Sequence, residues 1–80
     1  MKKWFVYILK CSDGTLYTGI TTDVNRRLNE HNSGKGAKYT KTRLPVMLLL
    51  VSEVSTRSEA SKEEYRIKQL TREQKLRMVN

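Results

Sequence analysis

The chain has 80 residues, sixteen of them Lys or Arg against eight Asp or Glu, giving a net charge of +8 and a pI near 9.9. That length allows one small domain, 1–80, and its 38% apolar and 30% charged residues exclude a disordered chain. The apolar run Val46–Val51 falls far short of the ~20 residues of a membrane span, so no membrane partner is expected.

The start, Met1-Lys2-Lys3 and then apolar residues, has the look of a signal peptide. Lys10 ends the stretch after six apolar residues, however, and no small-residue cleavage site follows, so a cytoplasmic chain is expected. A single cysteine, Cys11, excludes an internal disulfide, and a single histidine, His31, excludes a multi-histidine metal site. The surplus of positive charge points to a polyanionic partner, with nucleic acid the first expectation. The basic residues are spread as Lys2, Lys3, Lys10, Arg26, Arg27, Lys35, Lys38, Lys41 and Arg43, with seven more from Arg57 onward. They form no block, which implies a basic folded surface rather than a basic tail.

Trp4 to Lys10 reads as a strand, rich in aromatic and β-branched residues, and Leu16 to Thr21 as a second. Ser12-Asp13-Gly14-Thr15 between them is a turn signal, so the first twenty residues read as a β-hairpin. Thr22 or Asp23 caps a helix that runs to about Asn32 and stops at Ser33-Gly34. Ser33 to Arg43 reads as a loop. Val46 to Val54 is a third strand whose unbroken apolar centre predicts burial on both faces. Thr56 or Ser58 opens a second helix, and Thr71-Arg72-Glu73 restarts a last one through Met78. The expected fold is a small α+β domain, a three-stranded antiparallel sheet with flanking helices in the order β-β-α-β-α-α.

On the first helix Val24, Arg27, Leu28 and His31 share one face, with Arg27 and His31 stacked at its rim. An arginine and the only histidine, aimed at strands bearing Tyr7 and Tyr17, suit the handling of a phosphate. With these residues the sequence resembles the GIY-YIG nuclease superfamily, and most closely its small stand-alone bacterial proteins. Phe5-Val6-Tyr7 and Tyr17-Thr18-Gly19 stand for the two signature triplets. Arg27 lies eight residues past Gly19, where the family carries its arginine, and Glu64 matches the family's metal-binding glutamate. Phe5 and Thr18 depart from the pattern without removing a chemical group.

The resemblance implies a metal-dependent endonuclease acting on DNA or another nucleic acid, in repair or recombination, with one Mg²⁺ or Mn²⁺ on Glu64. It implies that Arg27 clamps the phosphate, that Tyr7 is the general base with His31 accepting or relaying its proton, and that Tyr17 orients water or phosphate. A phenol with a pKa of about 10 is a poor base unless Arg27 and the metal lower it. Gly19 would permit close backbone approach. Lys35, Lys38, Lys41 and Arg43 either track a nucleic-acid backbone or form a solvated connection. The alternative function is a nucleic-acid-binding module with little or no hydrolysis, targeted by a protein partner.

One geometric condition follows. A plain two-residue loop at Asp13-Gly14 would place Tyr7 and Tyr17 on opposite sheet faces. The nuclease reading needs both hydroxyls at one site, so an odd-length loop or a bulge is expected near Ser12–Thr15.

Overall fold

The computed structural model describes residues 3–79; the positively charged start read above, Met1 and Lys2, lies outside them, as does Asn80. The strands are β1 (Trp4–Lys10), β2 (Leu16–Thr21) and β3 (Met47–Val54). They form one antiparallel sheet in the order β2-β1-β3. The helices are α1 (Val24–Asn32), α2 (Lys38–Lys41), α3 (Arg57–Lys68) and α4 (Arg72–Val79). Side-chain oxygens cap three of them. Asp23 accepts from the Arg26 N–H (3.0 Å) and Thr56 from the Glu59 N–H (3.1 Å). Thr71 and Gln74 bond reciprocally, the hydroxyl to one backbone N–H and the amide oxygen to the other, closing a capping box at α4. The one-turn α2 was not expected. It interrupts the stretch read as a continuous loop.

The hairpin meets the parity condition. Cys11 N–H donates to the Thr15 carbonyl (2.8 Å), leaving Ser12, Asp13 and Gly14 as an odd-length loop, with Gly14 at φ 85° closing the turn. Leu9 then opposes Tyr17 and Tyr7 opposes Gly19, so Tyr7 and Tyr17 share one face.

Each face of the sheet has its own core. Val6 and Ile8 pack with Ala60 and Ile67 of α3, joined by Met78 of α4. On the opposite face Tyr7, Leu9 and Cys11 pack with Val46, and Leu28 of α1 and Leu44 close over them. The buried central strand is therefore β1. The expectation that the third strand is buried on both faces is overturned: β3 lies at the sheet edge, with Met47 59% and Val51 40% exposed. Periodicity reports local polarity and says nothing of strand order, which long-range pairing decides. A bulge also breaks the alternation in β3. Ile8 opposes Leu50 and Leu9 opposes Leu48, so Leu49 is extra, and the consecutive Leu49 and Leu50 both reach the same cluster.

Thr18, opposite Ile8, is buried on the α3 face, and its hydroxyl has no hydrogen-bond partner among the described residues. Thr18→Val keeps the shape and removes the stranded group, so it should stabilise the fold by about 1 kcal/mol. In a domain of this size that raises the melting temperature by roughly 4–8 °C. A fall in Tm would mean that the hydroxyl is satisfied.

Candidate active site

The site forms where β1, β2, α1 and α2 meet. Tyr7 points from the central strand across its partner Gly19. A Cβ at Gly19 would stand 2.6 Å from Tyr7 Cζ, so only glycine leaves the ring its path. The close approach expected at Gly19 is thus that of a side chain. Beyond the glycine, the Tyr7 hydroxyl meets His31 Nε2 at 3.0 Å.

His31 was expected at the rim of its helix face and is instead fully buried, because the segment after α1 folds over it. Gly36 makes that possible: a Cβ there would lie 2.8 Å from His31 Cγ and 2.9 Å from its Cα. Thr40 of α2 closes the far side, its Oγ1 2.7 Å from His31 Nδ1. The neighbouring Asn32 ties the end of α1 to the strand entrance. Its amide donates to the Val46 carbonyl (3.1 Å), and its oxygen accepts from the Val46 N–H (2.8 Å). Neither Gly36 nor Thr40 was recognised from sequence. A small residue and a hydroxyl within ten residues of the sole histidine were the only signals present.

Tyr17 presents its ring edge-on to His31, with centroids 5.4 Å apart, and stacks on Tyr39 at 5.9 Å. Arg27 bonds Glu30 Oε1 (3.1 Å), and its positive charge reaches the Tyr7 hydroxyl. It lines an open cleft of about 260 Å³ with Trp4, Thr22, Arg26 and Glu30, where a charged ligand can reach it. Glu64 comes from α3. Its side chain is 24% exposed and pairs with Lys68 at 3.4 Å. It bonds none of the other four residues, yet its charge reaches Tyr7.

Burial pushes the Tyr7 phenol above its ordinary range; Arg27 pulls it the other way, while Tyr17 and Glu64 add to the rise. At neutral pH Tyr7 therefore keeps its proton. Arg27 by itself does not bring the phenol below its ordinary range, because desolvation is the larger effect. Burial, and then the Arg27 charge, hold the His31 imidazole below its usual range, against an upward pull from Glu30.

Unfolded His31 protonates near ~6.5 and folded His31 lower, so between those values the unfolded chain binds more protons. Stability is full above about 6.5 and is lost as pH falls through the folded value, by at most about 1.4 kcal/mol per pH unit. Thermal melts between pH 7.5 and 5 should show this fall in the parent and not in His31→Gln. A parent with a flat profile would mean that the fold accepts the imidazolium.

The basic loop divides in two. Lys35, Lys38 and Lys41 are exposed and form no ion pair among the described residues. Arg43 is engaged within the fold, bonding Asp13 (3.0 Å) and the Tyr39 carbonyl (2.7 Å) with its guanidinium 4.0 Å from the Tyr39 ring. Its geometry fits a brace between the hairpin loop and α2 better than a phosphate contact. Among the described residues no three His, Cys, Asp or Glu stand together as a metal cluster. A half-buried carboxylate with one flexible lysine partner remains, and it fits a hard cation that keeps most of its waters.

Fold and site define a small α+β domain that sets a phenol, an imidazole and a guanidinium together over one face of its sheet. The family model for the GIY-YIG catalytic domain matches residues 3–77, and the chain belongs to that family, within the GIY-YIG nuclease superfamily. It is 60% identical to a UPF0213 protein of Staphylococcus epidermidis over 79 residues, which cover 99% of this chain and 96% of the relative. A UPF0213 protein of Staphylococcus aureus matches the same shares at 57% identity. Among solved structures, the UPF0213 protein from Bacillus halodurans is 48% identical with a TM-score of 0.61, covering 96% of this chain and 82% of that one. A protein from E. faecalis is 43% identical with a TM-score of 0.64, covering 98% and 84%.

Proposed function

We propose that the protein is a divalent-cation-dependent endonuclease that hydrolyses phosphodiester bonds, with DNA as its substrate. The observation that carries this reading is the buried Tyr7–His31 hydrogen bond, within reach of the Arg27 charge. Tyr7 keeps its proton until an attacking water needs a base. Its oxygen then takes the water's proton while its own passes to His31 Nε2, leaving a neutral phenol and an imidazolium. The new P–O bond forms to the water oxygen as the bond to the leaving deoxyribose oxygen breaks. Arg27, reached through the cleft, forks onto the non-bridging oxygens, for which it must exchange its bond to Glu30. Tyr17, packed edge-on against His31, orients water or phosphate. Glu64 would hold the cation, Mg²⁺ or Mn²⁺, which when bound supplies Lewis-acid stabilisation of the leaving oxygen.

Lys35, Lys38 and Lys41 supply phosphate contacts that position a strand without reading its sequence, so a partner protein would provide targeting. A role in repair or recombination is consistent with such chemistry. A cytoplasmic location fits the buried free thiol of Cys11, and no described helix is long and apolar enough to cross a membrane.

Plasmid DNA, single-stranded DNA and RNA, each incubated with and without Mg²⁺ or Mn²⁺, test the reading. Cation-dependent cleavage of DNA is expected, with binding that weakens steeply as salt rises. Binding without cleavage under every condition would replace the enzyme with a binding module. A flat salt response would remove the basic surface as the binding face.

A further inference from the structure

We infer that Thr40 is a positioning residue for this site: its hydroxyl holds His31 in the Nδ1–H tautomer, so that the bare Nε2 faces Tyr7. The consequence for cleavage rests on the nuclease reading, whereas the tautomer does not. A neutral imidazole has one N–H and one lone-pair nitrogen, and the partners at its two ends decide which is which.

At the Nδ1 end stands Thr40 Oγ1, which donates to the Ala37 carbonyl at 3.0 Å. A hydroxyl has a single proton, so with that proton committed Thr40 is an acceptor toward His31, and Nδ1 must carry the hydrogen. At the Nε2 end stands the Tyr7 hydroxyl, 3.0 Å away and with no other hydrogen-bond partner among the described residues, so the phenol proton has Nε2 as its acceptor. The Nδ1 end requires this tautomer, and the Nε2 end is satisfied by it.

The opposite tautomer would aim Nε2–H at the Tyr7 oxygen, strand the phenol proton and draw the Thr40 hydroxyl off Ala37. Tyr7, His31 and Thr40 are 2%, 0% and 0% exposed, so water cannot repair those losses cheaply. Tyr17 packs against the ring, and the charges of Arg27 and Glu30 reach it. None of these three is hydrogen-bonded to an imidazole nitrogen among the described contacts, so the choice of tautomer falls to Thr40 and Tyr7. Thr40 is uncharged. It orients the imidazole without stabilising the imidazolium as a carboxylate would, which keeps His31 a proton acceptor rather than a standing cation.

His31 is the only histidine in the chain, so ¹⁵N spectra of labelled protein report its tautomer without assignment ambiguity. At pH 8 the parent should show a protonated Nδ1 and a pyridine-like Nε2. Thr40→Ser should keep that pattern. Thr40→Val, which retains the shape and loses the acceptor, should shift the ring toward Nε2–H. It should also slow cleavage by ~10–100-fold with DNA affinity unchanged, and Thr40→Ser should recover the rate. A parent with Nε2–H, or a Thr40→Val protein with unaltered tautomer and rate, would overturn the inference. Should Thr40→Val fail to fold, the parent and Thr40→Ser spectra decide. Should the parent cleave nothing, the nuclease reading falls, and the spectra still decide the tautomer.

Discussion

Glu64→Gln should abolish cation-dependent cleavage while leaving the fold and most DNA affinity in place. Glu64 lies four residues after Ala60 and three before Ile67, both buried, so it shares the inward face of α3. A carboxylate there is unfavourable unless a cation or hydrogen bonds compensate it. Its partner, Lys68, is half exposed at 3.4 Å, and such an i,i+4 pair contributes only ~0.3–0.5 kcal/mol before screening. The pair is too weak to explain a carboxylate at that position. Gln preserves shape and loses charge, so stability should change by less than about 0.5 kcal/mol. The rate should fall by ~10³-fold or more, the scale of several kcal/mol of lost transition-state stabilisation. Melts and salt-dependent binding check the first part, and single-turnover cleavage the second. A variant that cuts like the parent would remove Glu64 as the ligand and leave it a surface ion-pair residue.

Tyr7→Phe should have the second large effect, for a different reason. The ring is needed for packing over Gly19 and beside Leu9, and phenylalanine supplies it. What disappears is the hydroxyl bonded to His31 Nε2. Without it a buried acceptor loses its partner, which costs about 1–3 kcal/mol, well inside the 5–15 kcal/mol of a typical domain. Cleavage loses its proton acceptor and should drop by ~10²–10⁴-fold. DNA affinity should hold, because the lysines and Arg27 remain. A Tyr7→Phe protein that folds and cuts at the parental rate would assign Tyr7 to packing and leave His31 to act on water directly.

Much of the architecture was legible because it depends on neighbours in the chain. Asp23, Thr56 and Thr71 cap helices by bonding residues three positions on, within reach of any local reading. The loop parity was also legible, since side chains alternate along a strand and two tyrosines that must share a face dictate an odd loop. So was the set Tyr7, Tyr17, Arg27 and His31, which the structure gathers on one side of the sheet; Glu64 approaches it from α3, which packs on the other face.

Tertiary contacts decided the rest. Placing β1 at the centre turned the apolar β3 into a half-exposed edge, an outcome set by which strands pair and not by β3's own residues. Arg43 reads as one more loop cation until Asp13, thirty positions away, comes within 3.0 Å. His31 looked like a rim residue because helical periodicity describes one helix and not what folds over it. Its burial, its link to Tyr7 across twenty-four positions and its closure by Gly36 and Thr40 arise only when the chain packs. Which groups the protein carries, and how they alternate along each strand and helix, follows from backbone periodicity and capping, which are local. Which of those groups are dry and which are paired follows from packing, because desolvation and hydrogen-bond partnership belong to the folded chain.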